Sequence, residues 1–355
     1  MAMAVGESDE SNGGDVFPAN FAEIVASLPR GPPCLVFPSL RQYRGFWLPE
    51  GALLILPAVH ASFERRGGTD VLLASFPKSG TTWLKALAFA ITHRSVHSPL
   101  DLDAGGGRHP LLSRNPHDCV KFIESLRYLE EEEEEEKEDD DGGGGGGAPP
   151  PPRLLATHLP YTLLPRHATA EESVCRIVYI SRDPKDTLVS LWHFKDHVQM
   201  GSTAMSFEEA FELYLRGCCG LGPQWEHARG YWEASRRRPS RVLCLRYEEM
   251  LQAPAASLRK MAEFMGRPFS AAEEAAGVVD AVLELCSIEK QRGLAVNTTG
   301  AYTAKGLVTI ENKHFFRKGV AGDWRNHMTS EMAARMDGVV DEALKGSGFA
   351  FADTK

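Results

Sequence analysis

L-L-A-S-F-P-K-S-G-T-T-W, running from Leu72 to Trp83, is the stretch that decides how this chain folds. It opens as a short apolar run suited to a buried strand, and the run stops at Pro77. Lys78 follows, then the small pair Ser79-Gly80, the hydroxyls of Thr81 and Thr82, and apolar residues at helical spacing (Trp83, Leu84, Leu87, Ala88, Ile91). A strand, a small-residue loop and a helix start together offer backbone N–H groups and the positive end of a dipole to an anion. Lys78 adds a point charge and the threonines add donors, so the segment predicts a binding loop for a phosphate ester. It is not the common triphosphatase loop, G-x-x-x-x-G-K-[ST], in which the lysine follows the glycines and the next hydroxyl holds magnesium. Here Lys78 precedes the only glycine of the loop. The plainer reading of the same residues is an ordinary strand–turn–helix with a solvated lysine.

Working outward, 355 residues with 43% hydrophobic and 25% charged side chains suit one large α/β domain or two small ones. The net charge of −9 is deceptive, because Glu130 to Asp141 alone carry eleven acids and one lysine. The remainder is close to neutral, at +1 against a local −10. This balance argues against nucleic acid or an anionic membrane as partner and requires positive charge to be gathered at one place. Seven scattered cysteines without a C-x-x-C suggest neither a disulfide framework nor a zinc site and fit a reducing compartment. The polar, acidic N-terminus lacks the features of a signal peptide, and the apolar run Leu53–Val59 is too short to span a bilayer. A cytoplasmic protein is the expectation.

Residues 1–16 read as disordered, and Phe17 to Leu28 as a short amphipathic helix. Glu130 to Pro152, an acid run followed by six glycines, Ala148 and four prolines, reads as a solvated loop set into the domain. Strands are expected at Leu154–Thr157, Arg176–Ser181 and Val242–Tyr247. Helices are expected from Pro184, near Ala255–Met265, at Ala272–Cys286 and from Ser330 to Leu344. Glu289 to Trp324, where periodicity fades, reads as a long ordered loop. Alternating strands and helices predict a single α/β domain with a central, mostly parallel sheet flanked by helices.

Three further segments carry chemistry. Y-I-S-R-D-P-K-D-T-L-V-S sets Arg182 at a strand end and Ser190 about two turns into the next helix, both within reach of a second phosphate. A-T-H-L-P-Y puts His158 just past another strand end, a natural position for a general base. F-F-R-K-G-V-A-G-D-W offers Arg317, Lys318 and the backbone of Gly319 to more phosphate oxygens. His193 and His197 stand four apart, a metal-ligand spacing, but no carboxylate or third histidine joins them, so they read as surface or pocket-wall residues. Trp47, Phe76, Tyr161 and Phe194 are candidates for an apolar pocket wall.

Together these motifs closely resemble the soluble sulfotransferases, above all the plant cytosolic branch. The resemblance runs from about Phe46 (G-F-W-L-P) to Phe351 and includes V-L-C-L-R-Y-E-E-M and the closing G-S-G-F. It implies a sulfotransferase domain over residues 17–351, with the P-loop-nucleotide-kinase-like fold of that family. It also implies 3'-phosphoadenosine 5'-phosphosulfate (PAPS) as co-substrate, no metal, and a small hydroxyl compound as acceptor (a flavonoid, steroid, jasmonate or simple phenolic). By resemblance, Lys78, Ser79, Gly80, Thr81, Thr82 and Trp83 hold the 5'-phosphosulfate, and Arg182, Ser190, Arg317, Lys318 and Gly319 hold the 3'-phosphate. Tyr247 matches an adenine-contacting tyrosine and Trp83 stacks on the base. His158 would take the acceptor's proton, Lys78 would stabilise the bridging oxygen, and Ser190 would engage Lys78 until acceptor arrives.

Three positions depart from the family pattern. Ala156 stands where many animal members carry a lysine, and Cys286-Ser287-Ile288 replaces the usual Ser-Phe. The animal dimerisation pattern survives only as Arg325, Thr329, Ser330 and Ala334, so a monomer or weak dimer is expected. The rival readings are a P-loop kinase or nucleotidase, and a catalytically weak or non-enzymatic adenosine-bisphosphate binder.

Overall fold

The computed structural model describes residues 17–37, 39–64, 70–102, 109–125, 152–198, 205–304 and 308–352. Residues 1–16 and 130–151, on which the expected disordered start and nearly all of the acidic loop fall, lie outside them.

An antiparallel pair, β1 (Leu40–Tyr43) and β2 (Phe46–Pro49), precedes the main sheet. That sheet has five strands: β3 (Val71–Ser75), β4 (Lys121–Phe122), β5 (Leu154–Thr157), β6 (Arg176–Ser181) and β7 (Val242–Arg246). They lie in the order β4-β5-β3-β6-β7, and every pairing is parallel. All five residues of β3 are buried, because the strand is central and covered on both faces. Side chains alternate between the faces, so consecutive residues enter different cores. Leu72 and Ala74 join Ile177 and Tyr179 in one core, while Val71 and Leu73 join Val178 and Ile180 in the other.

The helices that cover these faces among the described residues include α1 (Thr81–His93), α2 (Pro184–Lys195), α3 (Gln224–Arg237), α4 (Pro254–Phe264), α5 (Val278–Leu285) and α6 (Ser330–Leu344). Helices α1, α4 and α5 contribute Leu84, Met261 and Val282 to the second core, while α2, α3 and α6 contribute Val189, Tyr231 and Met336 to the first. Tyr179 on β6 stacks on Tyr231 of α3, with centroids 4.2 Å apart, a contact worth about 0.5–1.5 kcal/mol beyond its buried area. The chain leaves β3 for one side of the sheet and returns through β6 on the other. The carboxyl ends of β3, β5 and β6 therefore border the crevice where open α/β sheets hold ligands.

The strands at 154–157 and 176–181 and the last helix fall where the sequence puts them. Other elements differ. The first helix spans only Phe21–Ser27, with Phe17 packed on Phe21. The expected helix over 272–286 is broken at Gly277, whose φ is +77°, into Ala271–Ala275 and α5. The expected loop over 289–324 contains the helices Ile288–Gly293 and Ala295–Thr299. Beyond them come the antiparallel pair β8 (Ala301–Ala304) and β9 (Val308–Glu311), then two 3-10 turns. This region is set by buried long-range bonds, such as Asn115 Nδ2 donating to Asn297 Oδ1 at 2.8 Å, that no local periodicity encodes.

Candidate active site

The loop leaving β3 has two residues in the left-handed region, Lys78 (φ +66°) and Gly80 (φ +103°). Such a conformation is unfavourable for lysine and marks a position that the surroundings over-determine. Glycine is required at 80 twice over, since an added Cβ would stand 2.8 Å from Tyr247 Cδ2 and 3.1 Å from Ile180 Cδ1. Gly80 starts α1, and Thr81 Oγ1 is tied to Ser75 Oγ at 2.6 Å, locking the helix end to the strand before it. Ser79 is buried and its Oγ has no hydrogen-bond partner among the described residues. Lys78 turns its ammonium over the Phe194 ring, 3.7 Å from the centroid. Burial, then the charges of Arg182 and Arg317, pull its pKa down to about 7.

His158 stands just past the end of β5. Its Nδ1 lies 2.8 Å from the carbonyl oxygen of Ser75, and a carbonyl only accepts, so Nδ1 carries the proton. Nε2 is left as the acceptor nitrogen of a ring that borders the cavity. The His158 backbone N–H donates to Glu124 Oε1 at 2.5 Å, fixing the residue from a second side. Burial is the main cause that lowers the imidazole pKa to about 3, outweighing the Ser75 bond, so the ring is a free base at neutral pH.

At the other end, Arg182 follows β6 and joins three segments. Its Nη1 donates to the Lys78 carbonyl and its Nη2 to the Val320 carbonyl, each at 3.1 Å, and its guanidinium lies over the Tyr247 ring. The buried Nε has no partner among the described residues. Ser190, buried on α2, borders the same cavity. Gly319 has φ +70°, and a Cβ there would come within 2.6 Å of Ile288 Cδ1. Arg317 and Lys318 both donate to Asp323, at 2.6 and 2.7 Å. Their loop is held to α2 by the buried Asp186, which accepts from the backbone N–H groups of Gly322 (2.6 Å) and Trp324 (2.9 Å).

Lys78, Gly80 to Trp83, His158, Arg182, Ser190, Tyr247 and Arg317 to Gly319 thus border one cavity of about 610 Å³, a volume suited to a small-molecule site. Of the anion-binding residues expected from the sequence, Ser79 alone does not line the cavity. Trp83 meets Tyr247 edge to face, with centroids 5.8 Å apart, beside Leu251, Leu283 and Ile288. The half beyond His158 is apolar, walled by Phe122, Phe194, Phe315, Tyr302 and the Cys34–Phe37 segment. Of the four aromatic candidates only Phe194 is there. Phe76 is fully buried in the first core, Tyr161 packs on Tyr231, and Trp47 packs beside Gly31 and Leu40. His193 lies against His327 and His197 stacks on His314; no group of three potential metal ligands occurs among the described residues.

Sequence reasoning did not single out Phe122, Phe315, Asp186 or Asp323. Asp186, Phe315 and Asp323 lie inside the motifs quoted for Arg182 and Arg317, whereas Phe122 lies in none of them.

Residues 68–348 match the family model described as a sulfotransferase domain. Cytosolic sulfotransferase 5 of Arabidopsis thaliana is 40% identical over 311 residues, covering 87% of this chain and 90% of the relative. Flavonol 3-sulfotransferase of Flaveria bidentis is 41% identical over 281 residues, covering 79% of this chain and 83% of the relative. A mouse sulfotransferase solved in complex with PAP superposes with a TM-score of 0.61 at 26% identity, over 87% of this chain and 95% of that one.

Proposed function

Because this chain belongs to the sulfotransferase family, we propose that it transfers the sulfuryl group of PAPS to a hydroxyl of an apolar small molecule, with His158 as general base. The observation that carries the reading is one cavity with a free-base imidazole, its tautomer fixed by the Ser75 carbonyl, and the Lys78 ammonium on its wall. The opposite end suits a doubly phosphorylated nucleotide. Ser79 Oγ and Arg182 Nε are buried without partners among the described residues, and glycines stand where any Cβ would crowd the loop.

In this reading Lys78 to Trp83 hold the 5'-phosphosulfate, while Arg182, Ser190, Arg317, Lys318 and Gly319 hold the 3'-phosphate. Tyr247 and Trp83 flank the adenine. PAPS, when bound, supplies an activated sulfuryl group. His158 Nε2 accepts the proton of the acceptor hydroxyl as that oxygen becomes nucleophilic, an assistance typically worth ~10²–10⁴-fold. Lys78 places positive charge where negative charge develops on the leaving side. Ser190 would engage Lys78 until acceptor is present. The aromatic and aliphatic wall beyond His158 favours a planar, weakly polar acceptor such as a phenol, flavonol or steroid alcohol. Names among the relatives support a plant cytosolic enzyme, and a monomer or weak dimer follows from the degraded pairing motif.

The test has two arms. Labelled PAPS is offered with a panel of phenols, flavonols and steroid alcohols, and calorimetry with PAP follows nucleotide binding. The wild type should bind PAP and sulfate at least one acceptor, whereas His158→Ala should bind PAP and lose turnover by two orders of magnitude or more. Normal turnover in that variant would refute the assignment of the base. A binder without turnover is the second reading. The departures from the family pattern at Ala156 and Ile288 favour it, and sulfate transfer to any acceptor would exclude it.

A further inference from the structure

On α1, Thr82 and Lys85 are three residues apart and share a face. Both meet His117, in the short turn Pro116–Cys119 between α1 and β4. Asn115 sets that turn, accepting from the His117 N–H at 2.9 Å while its Nδ2 donates to Asn297. Lys85 is wholly buried (0% exposed) and forms no ion pair with a carboxylate among the described residues. Its Nζ lies 3.0 Å from the Val120 carbonyl, 3.0 Å from His117 Nδ1, and 3.3 Å from the centroid of the Phe122 ring. Burying an amine this deeply is costly, so the position calls for a reason beyond packing.

Burial lowers the Lys85 pKa well below that of a free amine; held as an ammonium, Lys85 can only donate, which makes His117 Nδ1 the acceptor and puts the ring proton on Nε2. Burial, reinforced by the charge of Lys85, keeps this imidazole neutral and hence in that single tautomer. Nε2–H then donates to Thr82 Oγ1 at 3.0 Å. Thr82 lines the cavity, and with its oxygen accepting from His117 its own hydrogen is left to donate elsewhere. A helical threonine otherwise bonds back to the carbonyl three or four residues earlier. Thr92, on the same helix, does so, donating to Ala88 O at 2.9 Å. At Thr82 the carbonyl four residues back is that of Lys78, which Arg182 already occupies.

We propose that Lys85 and His117 are positioning residues that act through Thr82, holding its hydroxyl as a hydrogen-bond donor toward the phosphosulfate of the co-substrate. The inference rests on the PAPS reading of the site. The experiment is a double-mutant cycle on the full chain, with melting temperature as a check on folding. Lys85→Met, His117→Phe and Thr82→Val should each lower kcat/KM for PAPS about tenfold, the scale of one hydrogen bond to a charged group, and leave the acceptor KM unchanged. Thr82→Ser should keep near-normal donor kinetics. Lys85→Met added to Thr82→Val should cost nothing further, because the relay has lost its end point. If Lys85→Met does not fold, His117→Phe completes the same cycle, its ring retaining the packing against Phe122 and Phe315. Additive losses, or donor kinetics unchanged in the folded variants, would overturn the inference while leaving the enzymatic reading intact. Failure of the wild type to bind PAP would instead overturn that reading itself.

Discussion

In the proposed function Lys78 and His158 hold opposite charge requirements in one cavity, and their environments set both. Lys78 must be an ammonium to meet an anion, yet in the free protein its pKa is drawn down to about 7 by burial and two neighbouring guanidinium groups. His158 must be a free base, and burial lowers it to about 3. Raising pH through about 7 removes the Lys78 proton from the free enzyme, so kcat/KM for PAPS should fall there. Once donor phosphates are bound they favour the ammonium, and kcat should hold to higher pH. On the acid side no histidine limb should emerge until well below pH ~5. Initial-rate profiles at limiting and at saturating donor would check all three statements; a kcat/KM that rises from pH 7 to 9 would contradict the assignment of Lys78.

Among the elements, α2 does most to assemble the site. It begins at the carboxyl end of β6 behind Arg182, carries Ser190 two turns in, and through Asp186 grips the backbone of the 322–324 turn. Asp186→Ala would strand two part-buried N–H groups at a cost of about 1–3 kcal/mol. The expected result is a lower melting temperature and a donor KM raised roughly tenfold, with the acceptor KM little changed. Equal rises in both KM values would show that Asp186 serves the fold at large. The strands and loops carrying Lys78, His158 and Arg182 were legible in the sequence for a physical reason. Buried parallel strands stand out as apolar runs, and the residues just past the carboxyl end of each run must lie at the crevice. Asp186 was not legible. Its partners are backbone groups 136 and 138 residues away, and nothing in its own helix distinguishes it from a solvated acid. Phe76 misled for a related reason. It adjoins the binding loop in sequence, yet its side chain enters the core beneath the sheet.

For the molecule as a whole, the expectation is that the sheet tolerates loss of residues 130–152, which lie between β4 and β5 in sequence. Strand β4 has two residues and pairs directly with β5, and Arg153, just before β5, is anchored to Asp70 by two hydrogen bonds. Because β4 and β5 are parallel the link must also run back along them, and without Glu130 to Pro152 the remaining residues 123–129 and 153 reach at most ~3.3 Å each, roughly 26 Å, past these short strands. The truncated protein should therefore fold with a melting temperature within a few degrees of the full chain and keep its specific activity, as circular dichroism and the transfer assay would report. An insoluble or inactive product would assign the segment a structural part. Without that run the chain is nearly neutral, so attraction of the nucleotide depends on a handful of cations, two of which come with a carboxylate of their own. Asp323 acts as a resident counter-ion. In the proposed function, a phosphate arriving at Arg317 and Lys318 would exchange with a partner already in place, and departing product would surrender them to it again. Grip is sacrificed for easy release. Asp323→Asn should accordingly slow PAP dissociation in stopped-flow measurements and turn product exit into the step that limits turnover.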